Sequence, residues 1–81
     1  STFKNPDELS AWKLIEKANF RGKKFGGANV SSKHTNFLIN NGTASSLDLE
    51  ILGEEIRSSV KERFNINLDW ELIRIGNFKK I

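Results

Sequence analysis

Residues 45–65 read SSLDLEILGEEIRSSVKERFN. Leu49, Leu52, Ile56, Val60 and Phe64 recur there at steps of three and four, which sets them on one stripe of an α-helix. Ser45 precedes the periodic run and has the hydroxyl that an N-cap needs. Asp48 and Glu50 lie near the start, Lys61 and Arg63 near the end, and both placements match the helix dipole. Asn65 tolerates the left-handed conformation that closes a helix. The stretch therefore predicts a helix over 46–64. Gly53 sits inside it, where glycine costs about 1 kcal/mol against alanine, and close packing against a sheet explains its presence.

A helix with one apolar stripe has to bury that stripe against another layer. Upstream, residues 25–30 predict a short strand entered through Gly26 and Gly27. Ser31 to His34 make a polar connection. Residues 35–40 then alternate, with Phe37 and Ile39, expected to pack against the helix stripe, on the face opposite Asn36 and Leu38, and predict a second strand pairing with the first as a hairpin. Asn41 to Ala44 form a turn. Before the hairpin, Ala11, Leu14, Ile15 and Ala18 fall at i, i+3, i+4 and i+7 and predict a helix over about 10–19. Ser10 is expected to cap that helix with its hydroxyl and Gly22 to stop it. Residues 1–9 read as an extended entry and a turn at Asn5-Pro6. Downstream, 68–75 predict a last strand, with Leu68, Trp70 and Leu72 on one face and Glu71, Ile73 and Ile75 on the other. The expected fold is a small α+β domain: two helices on an antiparallel sheet of three to four strands.

Eighty-one residues make one domain. Hydrophobic residues at 37% and charged residues at 28% are an ordinary globular balance. The absence of cysteine excludes disulfides and thiolate chemistry, and a single histidine leaves no zinc-ligand set. No apolar run approaches the roughly 20 residues of a membrane-spanning helix. A net charge of +3 is mild for a nucleic-acid binder, yet a small basic α+β module that binds RNA or DNA stays open as an alternative. The chain starts at Ser1 without methionine, which reads as a piece of a longer protein.

Single residues carry two readings each. Glu71 shares a strand face with apolar residues, where a carboxylate is either partly desolvated or held at an edge by a cation. Gly26-Gly27 allows close backbone approach without forming a dinucleotide fingerprint. Arg21, Lys23 and Lys24 beside it either meet phosphates or form a solvated charge run. His34 either bonds a ligand or caps the hairpin. Ser1 has no nucleophile motif around it, and the aromatic residues fall at core spacings rather than as a stacking platform.

Taken in order, these stretches resemble the C-terminal domain of the UDP-N-acetylenolpyruvoylglucosamine reductase family. Ser1-Thr2-Phe3-Lys4-Asn5-Pro6 resembles the family's G-S-x-F-K-N-P motif without its first glycine. Ala11 to Glu16 resembles its A-x-x-L-I-[ED] helix, and Arg21-Gly22 with Gly26-Gly27-Ala28 its [KR]-G-x-x-x-G-G-A loop. Lys33-His34, Asn36-Phe37 and Asn40 resemble its K-H-x-N-F-x-x-N hairpin. Val60 to Phe64 and Glu71 to Gly76 resemble its closing helix and strand, with Trp70 where the family commonly has proline.

The resemblance implies a bacterial cytoplasmic oxidoreductase of peptidoglycan precursor synthesis. It uses NADPH and FAD to reduce the enolpyruvyl group of UDP-N-acetylglucosamine enolpyruvate, giving UDP-N-acetylmuramate. It implies that Ser1 protonates the substrate carbanion and that Glu71 stabilises the enol intermediate. Asn5, Arg21 and His34 are implied in substrate binding. It further implies that residues 1–81 are the substrate-binding domain, with FAD and NADPH held mainly by other domains of the same polypeptide. Without them, and without the arginine that accompanies the serine and glutamate in the family, the isolated domain is expected to be inactive. Ser1 and Glu71 are then expected to face one surface.

Overall fold

The computed structural model describes residues 1–71. It has two helices and a three-stranded antiparallel sheet, in the order α1 (Ala11–Lys17), β1 (Lys24–Phe25), β2 (Ala28–Val30), β3 (Leu38–Asn40) and α2 (Ser46–Phe64). This is the α+β class read from the sequence. Of the expected last strand, 68–71 are described and Leu72, Ile73 and Ile75 lie outside the described residues.

Helix α2 begins with a reciprocal capping box. Ser45 Oγ accepts the Asp48 N–H at 3.0 Å, and the Asp48 carboxylate accepts the Ser45 N–H at 3.1 Å. It ends at Asn65, left-handed at φ 58°, whose N–H bonds the Lys61 carbonyl. Leu52, Ile56 and Val60 are fully buried, while Leu49 and Phe64 flank the core half-buried. The helix lies across all three strands and against α1, and the core fills with Ala11, Ile15, Phe20, Ala28, Val30 and Leu68.

Four local expectations are corrected. Ser10 sits at the N-cap of α1, but its side chain caps nothing; Asn5 Oδ1 takes the Ala11 N–H instead, at 2.9 Å. The helix ends before Gly22. Asn19 turns left-handed at φ 68°, and the Asn19 and Phe20 N–H groups bond the Glu16 and Ile15 carbonyls in a Schellman closure. Gly26 and Gly27 are not a strand entry but the two-residue turn joining β1 to β2, with Gly26 at φ 59°.

The fourth correction is the face of β3. Val30 pairs with Leu38 and Asn29 with Ile39, so Leu38 points inward with Val30 while Ile39 points out. Phe37 and Ile39 are 44% and 41% exposed, and Asn36 is buried. The alternation is real and its phase is inverted. Thr35 and Asn36 precede the strand in a turn whose Phe37 N–H bonds the His34 carbonyl.

Residues 2–4 and 69–71 meet beside this sheet. Phe3 and Trp70 form an antiparallel bridge. The Lys4 N–H bonds the Asp69 carbonyl at 2.9 Å, and the Glu71 N–H bonds the Thr2 carbonyl at 2.8 Å. Helix α2 fixes residues 68–70 from behind. Arg57 Nε donates to the Leu68 carbonyl, Trp70 Nε1 donates to Glu54 Oε2 at 2.7 Å, and the indole lies over Gly53. Gly53 is thus explained by Trp70, from the neighbouring extended segment, rather than by the hairpin strands.

Candidate functional site

Pairing of the two end segments decides where Ser1 and Glu71 sit. With the Glu71 N–H on the Thr2 carbonyl, Glu71 stands across from Thr2 and diagonally next to Ser1. The Ser1 hydroxyl donates to Glu71 Oε1 at 2.5 Å. That is the short end of the O–H···O range. Seventy positions separate these residues in the chain, so their contact is a product of the fold. Ser1 is exposed and Glu71 half-buried, so the pair opens to solvent. A hydroxyl against a carboxyl group can bind a polar ligand or pass a proton.

The remaining candidates have contacts of their own. Asn5 is exposed, with its carbonyl oxygen engaged in capping α1. Arg21 forms an ion pair with Glu16 at 2.7 Å and donates to the Ser32 carbonyl, so it braces the 31–34 turn. His34 lies on that turn; its Nδ1 accepts the Asn36 N–H at 3.3 Å. In the neutral ring this bond leaves the proton on Nε2, which can donate to a ligand. The 36–38 segment that follows borders Thr2 directly, since Asn36 O accepts the Thr2 N–H and Thr2 Oγ1 accepts the Leu38 N–H.

Sequence reasoning missed an exposed aromatic group. His34 stacks at 4.7 Å on Phe37 and stands 6.3 Å from Trp12. Trp12 and Phe37 are 38% and 44% exposed, so these rings form a surface patch and not core. The Thr35 hydroxyl, bonded to the Trp12 carbonyl at 2.6 Å, holds the turn to α1.

The glycine pair does not suit a dinucleotide. A Cβ on Gly26 would meet the Asp48 carboxylate at 2.7 Å, and one on Gly27 would run into Thr43 Oγ1. The space is already taken, and a phosphate near Gly26 would face a like charge. Lys23 is turned over the Phe20 ring at 4.8 Å. This turn serves packing, and FAD would have to be held elsewhere.

Fold and site together define a small α+β domain in which the segments 1–4 and 68–71 bring a hydroxyl to a carboxyl group. The sequence model of the UDP-N-acetylenolpyruvoylglucosamine reductase C-terminal domain matches residues 1–75. The chain belongs to this family.

Reductases of that name from Novosphingobium aromaticivorans and Phenylobacterium zucineum are 59% and 58% identical over 76 residues. The match covers 94% of this chain and 26% and 25% of theirs. Among solved structures, UDP-N-acetylenolpyruvylglucosamine reductase (MurB) from Thermus caldophilus superposes with a TM-score of 0.69 at 36% identity. That superposition covers 86% of this chain and 25% of the other. The chain thus spans about a quarter of the length of the relatives it matches.

Proposed function

We propose that residues 1–81 are the substrate-binding C-terminal domain of a bacterial cytoplasmic enzyme that reduces UDP-N-acetylglucosamine enolpyruvate to UDP-N-acetylmuramate for peptidoglycan synthesis. The observation that carries this reading is the 2.5 Å bond between Ser1 Oγ and Glu71 Oε1. The overall reaction adds one hydride, drawn from NADPH, and one proton across the enolpyruvyl double bond, leaving NADP⁺ and the lactyl product. Bound by the rest of the polypeptide, FAD would supply the hydride relay.

This chain's own residues manage the proton. Hydride addition leaves negative charge on the carbon beside the substrate carboxylate. The Ser1 hydroxyl donates its proton to that carbon. A serine hydroxyl is a weak acid, so the transfer needs a partner that restores the proton to Oγ. Glu71, when protonated, is in contact to do so, and its carboxyl group also stabilises the enol by a hydrogen bond aimed where charge develops. Asn5, Arg21 and His34 hold the nucleotide substrate, His34 through Nε2.

The test uses the full-length enzyme with NADPH and the enolpyruvyl nucleotide. One NADPH consumed per lactyl nucleotide formed is the expected stoichiometry. No NADPH oxidation with this substrate, together with oligonucleotide binding that falls steeply with salt, would favour the nucleic-acid module instead.

A further inference from the structure

We infer that Asn36 is the positioning residue of the proton donor: its buried side chain fixes the strand that carries Ser1, and so sets the Ser1–Glu71 contact. The inference rests on the proposed role of Ser1.

Asn36 is 4% exposed. Its side-chain amide acts as a short piece of strand. Oδ1 accepts the Phe3 N–H at 3.0 Å and Nδ2 donates to the Phe3 carbonyl at 2.9 Å. The Asn36 backbone carbonyl takes the Thr2 N–H at 2.8 Å. Thr2 is 4% exposed, and its Oγ1 accepts the Leu38 N–H at 3.2 Å. The Thr2 carbonyl, facing the other way, takes the Glu71 N–H. Thr2-Phe3 is therefore bonded on both edges, by 36–38 on one side and by 69–71 on the other. The residue after Ser1 is pinned through both of its backbone polar groups.

An apolar residue at position 36 could fill the space but leave both Phe3 groups without their partners. Of the short polar side chains, only an amide has an acceptor and a donor in one plane to satisfy both. A catalytic hydroxyl displaced by about 1 Å can lose on the order of 10²-fold in rate. Asn36 touches no substrate in this account. It acts through Ser1.

The experiment measures reoxidation of the reduced full-length enzyme by the enolpyruvyl nucleotide for wild type, Asn36→Asp, Ser1→Ala and the double variant. The carboxylate introduced by Asn36→Asp would keep the acceptor for the Phe3 N–H and turn an oxygen toward the Phe3 carbonyl. Asn36→Asp is expected to slow reoxidation at least tenfold, on the order of the loss a displaced hydroxyl brings, while flavin reduction by NADPH and substrate affinity stay within about twofold. Because Asn36 acts through Ser1, the double variant is expected to be no slower than Ser1→Ala alone. Thr2→Val, which removes the Leu38 N–H acceptor at constant size, should show the same dependence on Ser1, and Thr2→Ser should restore the rate. This second pair serves if Asn36→Asp does not fold.

Additive losses, or a parallel loss of substrate affinity and flavin reduction, would overturn the inference and make Asn36 a stability residue. A slow Ser1→Ala with normal Asn36→Asp and Thr2→Val would also overturn it, leaving the role of Ser1 intact. A normal Ser1→Ala would instead remove the reading of the site, and this inference with it.

Discussion

Gly53→Ala is the substitution in which helix propensity and packing disagree most sharply. Alanine in a helix interior is worth about 1 kcal/mol over glycine. Against that gain, a Cβ at position 53 would overlap Trp70 Cη2, with two more indole carbons at 2.7 and 2.9 Å. The indole has to move. It is held by the Phe3 ring at 4.9 Å and by its bond to Glu54. Overpacking of this kind costs about 1–3 kcal/mol, and a hydrogen bond to a charged group about 1.5–3 kcal/mol if it is broken. The losses exceed the gain, and the net effect is a destabilisation of about 2 kcal/mol. For a domain of this size that lowers Tm by about 8–16 °C, measurable by thermal unfolding followed by tryptophan fluorescence. In a Trp70→Leu background the clash is gone, and Gly53→Ala should be neutral or stabilising by up to about 1 kcal/mol. Equal or higher stability of the single variant would refute the reasoning, because it would mean that Trp70 is not seated on α2.

Two further substitutions test the core and the sheet. Leu52→Ala empties a fully buried position and should cost about 2–5 kcal/mol by equilibrium unfolding, a large part of a small domain's stability. Phe37→Ser should cost no more than about 1.5 kcal/mol, because Phe37, just before β3, is 44% exposed and its ring packs on His34; a loss like that of Leu52→Ala would mean that Phe37 faces the core.

What can be read from the sequence is what local chemistry decides. Ser45 and Asn65 bound α2 because a hydroxyl next to orphan N–H groups, and a left-handed asparagine, act within a few residues. The helical stripe is legible because Leu49, Leu52, Ile56, Val60 and Phe64 continue at steps of three and four, whereas Leu47 and Ile51, which stay exposed, start a register that the following turns do not continue. Strand β3 offers apolar residues on both faces, Phe37 and Ile39 against Leu38, so only the pairing of Leu38 with Val30 decides its phase. The turn at Gly26-Gly27 is hidden because strands of two and three residues show no periodicity. Ser10 loses its capping role to Asn5, which the turn at Pro6 brings within reach. The patch of Trp12, His34 and Phe37 joins α1 to a loop, and no spacing encodes it. Ser1 and Glu71 are singled out by family resemblance alone; the backbone pairing of 2–4 with 69–71 is what brings them into contact.

The most direct test of the central claim separates the two half-reactions of the full-length enzyme by stopped flow. Ser1→Ala should leave flavin reduction by NADPH nearly unchanged, since that step consumes no proton from Ser1. Reoxidation by the enolpyruvyl nucleotide should slow by about 10²–10⁴-fold, the contribution of a positioned acid. Glu71→Gln should slow the same half-reaction. Normal reoxidation in both variants would contradict the account and take Ser1 and Glu71 out of the mechanism.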